Sequence, residues 1–126
     1  MKLSSVANLI SGTLSPTDFS AEISSEISAH TFELRKRGGI AHVRVFEDTD
    51  VLLNRAGLSI LCHLFATGQL TANELAYVAD ALQLSERVEF GDEDIASDLA
   101  ECTDPEINGP LTIARALEIA GMENGA

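Results

Sequence analysis

Three histidines (His30, His42, His63) and two cysteines (Cys62, Cys102) are the only soft or borderline metal ligands in the chain. Cys62 and His63 are adjacent, so on a helix they point about 100° apart and do not share a metal. His30 and His42 fall on separate elements. No zinc spacing is present, and no metal is expected. Asp92-Glu93-Asp94-Ile95-Ala96-Ser97-Asp98 has the outline of a calcium loop. Its sixth position is Ser97 where a Gly is needed, and its twelfth is Thr103 where a bidentate Glu is needed. Ile95, Leu99 and Cys102 keep a helical period through the segment, which reads as a helix.

Covalent catalysis finds equally little. The chain has no Gly-x-Ser-x-Gly elbow, phosphate-binding glycine loop or dinucleotide fingerprint. Cys62 stands beside Leu61 and Leu64, where a free cysteine acts as a small hydrophobe. A catalytic carboxyl needs a cleft that shifts its pKa, and sequence does not show one. The reading is therefore of a protein without an enzymatic site or cofactor.

What remains is charge. The 126 residues hold 20 acids against 8 bases, a net charge of −12, with 45% hydrophobic residues and a mean hydropathy of +0.12. That apolar content argues against disorder, and one domain is the natural count at this length. A polyanion is repelled by nucleic acid and by anionic membrane surfaces alike. The charge is uneven: residues 1–60 sum to −1 and residues 61–126 to −11. Between positions 86 and 106 stand nine acids, Glu86, Glu89, Asp92, Glu93, Asp94, Asp98, Glu101, Asp104 and Glu106, with Arg87 the lone base. On a helix, Asp94, Asp98 and Glu101 form one ridge opposite Ile95, Leu99 and Cys102. Like charges at this spacing are unfavourable, and the segment has no interleaved Lys or Arg. The macrodipole accounts for Asp92 and Glu93 only. Such a face is expected to meet a basic partner and to speed its association. A merely solvated, solubilising face is the competing reading.

The elements that must present this face read mostly as helices. Val6, Leu9 and Ile10 give one over about Ser4–Ile10, stopped by Gly12. Ser15 and Pro16 start a second, which ends in Arg35-Lys36-Arg37-Gly38-Gly39. Ile40 to Phe46 alternates like a strand. Val51-Leu52-Leu53 either returns as its hairpin partner or opens the next helix; the hairpin is preferred. Because a lone hairpin is marginal, it needs helices or a third strand, for which Arg87-Val88-Glu89-Phe90 is the candidate. Leu58, Leu61, Leu64 and Phe65 mark a helix from about Asn54 to Gly68. Thr71 and Glu74 form a capping box before Leu75, Val78, Ala79 and Leu82. Another helix runs from Asp92 to Asp104-Pro105, and Asn108-Gly109-Pro110 is a turn. The last, from Thr112, is expected to bury Ile113, Leu117 and Ala120 and to stop at Gly121. Residues 122–126 read as a frayed tail. Tyr77, the only tyrosine, lies just off its helix's apolar stripe, as either an exposed anchor or a cover for the core edge. The fold class is mainly α, five to six helices with a small hairpin or short sheet around residues 40–53, for which α+β is the alternative label.

No apolar run reaches the roughly 20 residues of a membrane span, and the first ten residues make a poor secretory signal. Two buried-type cysteines suit a reducing compartment. A cytoplasmic protein is expected.

The stretch Thr67-Gly68-Gln69-Leu70-Thr71-Ala72-Asn73-Glu74-Leu75 through Phe90, the segment Asp104-Pro105-Glu106-Ile107-Asn108-Gly109-Pro110-Leu111-Thr112 and the pair Leu61-Cys62 together resemble the C-terminal part of small acidic bacterial proteins of toxin–immunity systems, including the immunity proteins of contact-dependent inhibition. The resemblance spans about residues 55–120. It implies a cytoplasmic protein that binds and blocks a cognate toxin, often a nuclease, and it assigns no binding residues. The charge argument agrees, because a nuclease presents basic residues to its substrate and an acidic inhibitor covers them well. A nucleic-acid mimic of antirestriction type and a small enzyme are the alternatives.

Overall fold

The computed structural model describes residues 1–36, 43–103 and 111–121. Within them the chain is mainly α with one small sheet. The elements are α1 (Leu3–Ser11), α2 (Pro16–Lys36), β1 (Val51–Leu53), α3 (Arg55–Ala66), α4 (Ala72–Leu84), β2 (Val88–Phe90), α5 (Glu93–Glu101) and α6 (Ile113–Ala120).

Local chemistry sets most of these boundaries. Helix α1 ends at Gly12, whose φ of 84° is left-handed and open to glycine at no steric cost. Ser15 Oγ accepts from the Asp18 amide at 3.1 Å at the start of α2, and Pro16 needs no amide partner there. Asn54 caps α3 by accepting from Gly57 N at 2.8 Å. The capping box of α4 is complete: Glu74 N donates to Thr71 Oγ1 at 3.1 Å, and Thr71 N to Glu74 Oε1 at 2.8 Å. The Asp92 and Thr112 side chains cap α5 and α6 by accepting from Ile95 N and Arg115 N, at 3.0 Å each.

The sheet differs from the expected hairpin. Strand β1 pairs in parallel with β2, in the register Val51↔Val88, Leu52↔Glu89 and Leu53↔Phe90. A parallel pair needs a long crossover, and α3 and α4 supply it. Of the 50–53 segment, Val51–Leu53 is therefore a strand, and its partner is Val88–Phe90. Residues 40–42 of the expected first strand lie outside the described residues. Val43–Phe46 does not pair with β1; Phe46 instead makes a single parallel bridge to Lys2. Short alternating segments specify that a strand exists but not which strand it meets, and here burial decides. Val51, Leu53 and Val88 point into one core, while Leu52 stays 64% exposed.

That core is one connected cluster. It joins Leu3, Val6 and Leu9 of α1 with Phe19 and Ile23 of α2, Leu58, Leu61, Cys62 and Leu64 of α3, and Leu75, Val78 and Leu82 of α4. Ile95 and Leu99 of α5 and Ala116 and Ile119 of α6 complete it. Helix α6 is thus rotated from its expected face: Ala116 and Ile119 point inward and Ile113 is 55% exposed. A small residue at the contact lets α6 lie close along α3, its principal neighbour. Gly57 does the same on the other side of α3, since a Cβ there would stand 3.1 Å from Leu53 Cδ1. Among the described residues no helix is long and apolar enough to cross a membrane.

Tyr77 is neither an exposed anchor nor an edge cover, being only 2% exposed. Its hydroxyl donates to Glu26 Oε2 at 2.9 Å and accepts from the Arg44 amide at 2.9 Å. Glu26 also receives the amino group of Met1, which donates as well to the Arg44 carbonyl at 2.9 Å. His30 packs its ring edge-on to Tyr77, with centroids 5.2 Å apart. A buried hydroxyl requires such partners, and these tie α2, α4 and the 43–46 segment together.

Leu82 is fully buried and Leu84 is 71% exposed, so Leu82→Ala should cost about 2–5 kcal/mol in urea unfolding and Leu84→Ala less than about 0.5 kcal/mol. Burial, reinforced by the Glu26 carboxylate, pushes the Tyr77 phenol up to about 12 from an ordinary 10. The fold favours the neutral phenol, so this contribution is complete below pH 10 and lost as pH rises through 12. With no other Tyr and no Trp, ultraviolet titration of tyrosinate should show a native transition near 12 that returns to near 10 in denaturant.

Candidate functional site

The acidic segment begins at the end of α4 and runs through β2 and α5. Parallel pairing with β1 fixes β2, so Val88 turns inward while Glu86 and Glu89 project outward. Asp92 then accepts from Ile95 N and starts α5. Glu93 and Asp94 fill the first turn, where the helix dipole favours negative charge. The buried stripe of Ile95, Leu99 and Cys102 fixes the rotation of α5 and leaves the acids outside.

The nine acids separate into three groups. Glu86, Glu89, Asp92, Glu93 and Asp94 are exposed and make no ion pair among the described residues. Asp98 and Glu101 are half-buried and paired. Arg55, the first residue of α3, donates Nη1 to Asp98 Oδ2 at 2.8 Å. Arg115 of α6 grips Glu101 with both prongs of its guanidinium, Nε to Oε2 at 2.8 Å and Nη2 to Oε1 at 2.7 Å. The same Arg115 donates Nη1 to Glu118 at 3.1 Å and lies 3.9 Å from Asp98. Asp104 and Glu106 lie outside the described residues.

This corrects the sequence reading on one point. The ridge of Asp94, Asp98 and Glu101 lacks a base within its own segment but not in space. Arg55 and Arg115 come from helices on either side, 43 and 14 positions away from their partners. Arg115 holds the Glu101 carboxyl below its ordinary range, and Glu101 and Glu118 in turn raise Arg115. The like-charge strain in α5 is thereby relieved, and the bidentate fork adds orientation to attraction.

Arg87, the one base inside the segment, is also engaged. Its Nε meets Asp50 Oδ1 at 2.7 Å, its Nη1 donates to the Glu47 carbonyl at 2.9 Å, and its amide donates to Glu47 Oε1 at 3.0 Å. That contact lowers the Asp50 carboxyl. It leaves Glu86 and Glu89 without a cation and holds the 47–50 turn beside β2.

Two open grooves flank these acids. One, of about 400 Å³, lies among Arg55, Asp94, Ser97, Asp98, Arg115 and Glu118. The other, of about 430 Å³, is lined by Asp50, Val51, Leu52, Glu86, Arg87 and Glu89. In the first, cations and anions nearly balance. In the second, an exposed leucine sits in a rim of three carboxylates and one guanidinium.

The remaining candidates fall elsewhere. Among the described residues no group of three or more His, Cys, Asp and Glu side chains is placed to hold a metal. His63 Nδ1 is buried and has no hydrogen-bond partner among the described residues, and His42 lies outside them. Cys62 and Cys102 are free and buried in the one core cluster, where their apolar stripes place them.

If the Arg115 fork relieves the ridge, Arg115→Gln should raise the pH at which Glu101 takes up its proton. The depressed carboxyl stabilises the fold above its ordinary 4.5 and loses that contribution as pH falls. Side-chain carboxyl NMR should therefore show Glu101 titrating higher in the variant, and amide exchange in α5 should quicken. In comparisons with known proteins, no family model, no curated protein and no solved structure matches the chain.

Proposed function

We propose that this chain is an interaction protein of immunity type. It binds and neutralises a basic toxin domain, of nuclease kind, through the surface formed by Glu86, Glu89, Asp92, Glu93 and Asp94. One observation carries the reading: among the described residues these five acids are exposed and make no ion pair, while every other acid of the segment is matched by an arginine. Charge left unmatched on a surface steers a cationic partner and fixes its register.

The neighbouring groove supports the same reading. Leu52 gives an apolar contact inside a rim of Asp50, Glu86 and Glu89. A central apolar contact with a polar rim is the usual anatomy of a specific protein interface. Asp98 and Glu101 take a supporting role, holding α5 in place through Arg55 and Arg115.

The test asks first whether a gene beside this chain's encodes a secreted protein with a toxic C-terminal domain, and then uses that domain. Co-expression should restore growth, and the purified pair should form a one-to-one complex whose association slows as salt rises. The triple reversal Glu89→Lys, Glu93→Lys and Asp94→Lys should slow association on the order of 10-fold or more, at a stability cost of about 1–2 kcal/mol from reversed charge at the α5 N-terminus. Unchanged association would remove the assigned surface. Equal inhibition of several unrelated DNA-binding proteins would replace the reading with a nucleic-acid mimic.

A further inference from the structure

Among the described residues the sheet consists of β1 and β2 alone, so β2 meets a strand along one side only. The ladder fixes which of its residues turn each way. The Arg87 carbonyl accepts from the Val51 amide at 2.9 Å, and the Gly91 amide donates to the Leu53 carbonyl at 3.0 Å. In a parallel pair every second residue turns both of its main-chain groups to the same neighbour. Arg87, Glu89 and Gly91 therefore face β1, while Val88 and Phe90 turn their amides and carbonyls the other way. Among the described residues nothing hydrogen-bonds to the main chain of Val88 or Phe90 on that side. Such a row of unpaired N–H and C=O groups is a template for another strand.

The side chains along that edge select the strand. Glu89 lies on the outer face of the sheet opposite Leu52, and both are exposed. Val88 belongs to the core, and Phe90 packs against it while keeping part of its surface. A strand laid beside β2 sets one residue next to Glu89 on the outer face and the residues before and after it next to Val88 and Phe90 on the inner face. A Lys or Arg suits the first place, and apolar residues suit the others. A second copy of this chain does not fit. Antiparallel pairing of two β2 edges through Val88 and Phe90 brings Glu89 against Glu89, and like charges directly opposite are destabilising. We propose that the free edge of β2 receives an extended segment of the basic partner as a third strand, one in which Lys or Arg alternates with apolar residues.

This mode of docking rests on the basic partner of the function proposed above and gives that partner a register. Charge alone leaves a cationic surface free to shift along the acidic strip. A strand added to an edge is held by main-chain hydrogen bonds and selected by its alternate side chains. A slip of one residue turns every basic side chain inward to Val88 and Phe90 and every apolar one outward to Glu89. Strand β2 has three residues, so the ladder is short, and the unpaired acids Glu86, Asp92, Glu93 and Asp94 on either side of it supply the remaining attraction. The shortness of the edge and its charge also keep the free chain from pairing with itself.

The test uses the full-length chain, followed residue by residue by NMR. In the free chain the Val88 and Phe90 amides should exchange with solvent faster than those of Glu89 and Leu53, which the ladder holds. A capped pentapeptide of alternating valine and lysine is then added. At saturation it should slow exchange at Val88 and Phe90 on the order of 10-fold and leave α1 unchanged. The valine–glutamate peptide should not bind. The valine–lysine peptide with methylated amide nitrogens keeps its charge but cannot form a ladder, and it should lose most of the binding. Equal binding of the methylated peptide would overturn the proposal, as would no binding of either lysine peptide. So would Val88 and Phe90 amides already as slow as that of Glu89 in the free chain. A dimer of this chain that protects the same two amides would give the edge to a second copy and overturn it too. The two proposals fail separately. A neutralised toxin domain whose complex leaves these amides exchanging freely sinks the strand and spares the function. A docked peptide without any neutralised toxin sinks the function and leaves the edge a site for basic strands.

Discussion

Helix α3 carries the apolar face on which most other elements pack. Gly57, Leu58, Leu61, Cys62 and Leu64 are all buried. Helices α1, α4, α5 and α6 and strand β1 each pack against it. Burying a leucine side chain is worth roughly 1.5–3 kcal/mol, so α3 alone gathers a large share of the apolar driving force. In a chain of net charge −12, self-repulsion opposes compaction. A shared apolar face along one helix lets the charged faces of its neighbours point outward without contesting the core.

That arrangement decides where the charge ends up. Helix α5 must turn Ile95, Leu99 and Cys102 toward the core, which leaves Asp94, Asp98 and Glu101 no choice but the outside. Two of the three lie where the flanks of the groove carry arginines. Arg55 stands on the first turn of α3 itself, and Arg115 on the helix that lies closest along it. The same packing that forces like charges together thus supplies the cations that separate them. On β2 no such help arrives. Glu86 and Glu89 face solvent, and Arg87 turns back to Asp50 and Glu47.

Signals confined to a few consecutive residues were legible. Ser15 before Pro16, the Thr71/Glu74 box, Asp92, Thr112 and the stop at Gly121 all place their helix ends where the structure has them. The apolar stripes of α3, α4 and α5 were legible for the same reason, since helical period is a local property. Relations between distant segments were not. Nothing within Val51–Leu53 says that its partner lies beyond two helices, and a turn-like Glu47-Asp48-Thr49-Asp50 invites the wrong neighbour. Ile113 looked like a core residue by type, but α6 meets α3 through Ala116, and the periodicity of eight residues does not fix rotation tightly. Arg55 and Arg115 were visible as bases but not as partners of Asp98 and Glu101. The Tyr77–Glu26 bond spans 51 positions and was equally hidden.

The division of the acidic face has an energetic consequence. A cation approaching Asp98 or Glu101 must compete with a guanidinium already 2.7–2.8 Å away, so its net gain is only the difference between two similar attractions. A cation approaching Glu89, Asp92, Glu93 or Asp94 displaces nothing but water and mobile ions. At physiological salt the Debye length is about 8 Å, so neighbouring acids on β2 and the first turn of α5 add their fields before screening removes them. Asp92, Glu93 and Asp94 also sit at the positive end of the α5 dipole. That end lowers the cost of gathering anions there but does not neutralise them at the distance of a partner. The surface best suited to meet a basic protein is therefore the 86–94 strip next to Leu52, and the paired end of α5 serves to hold that strip still.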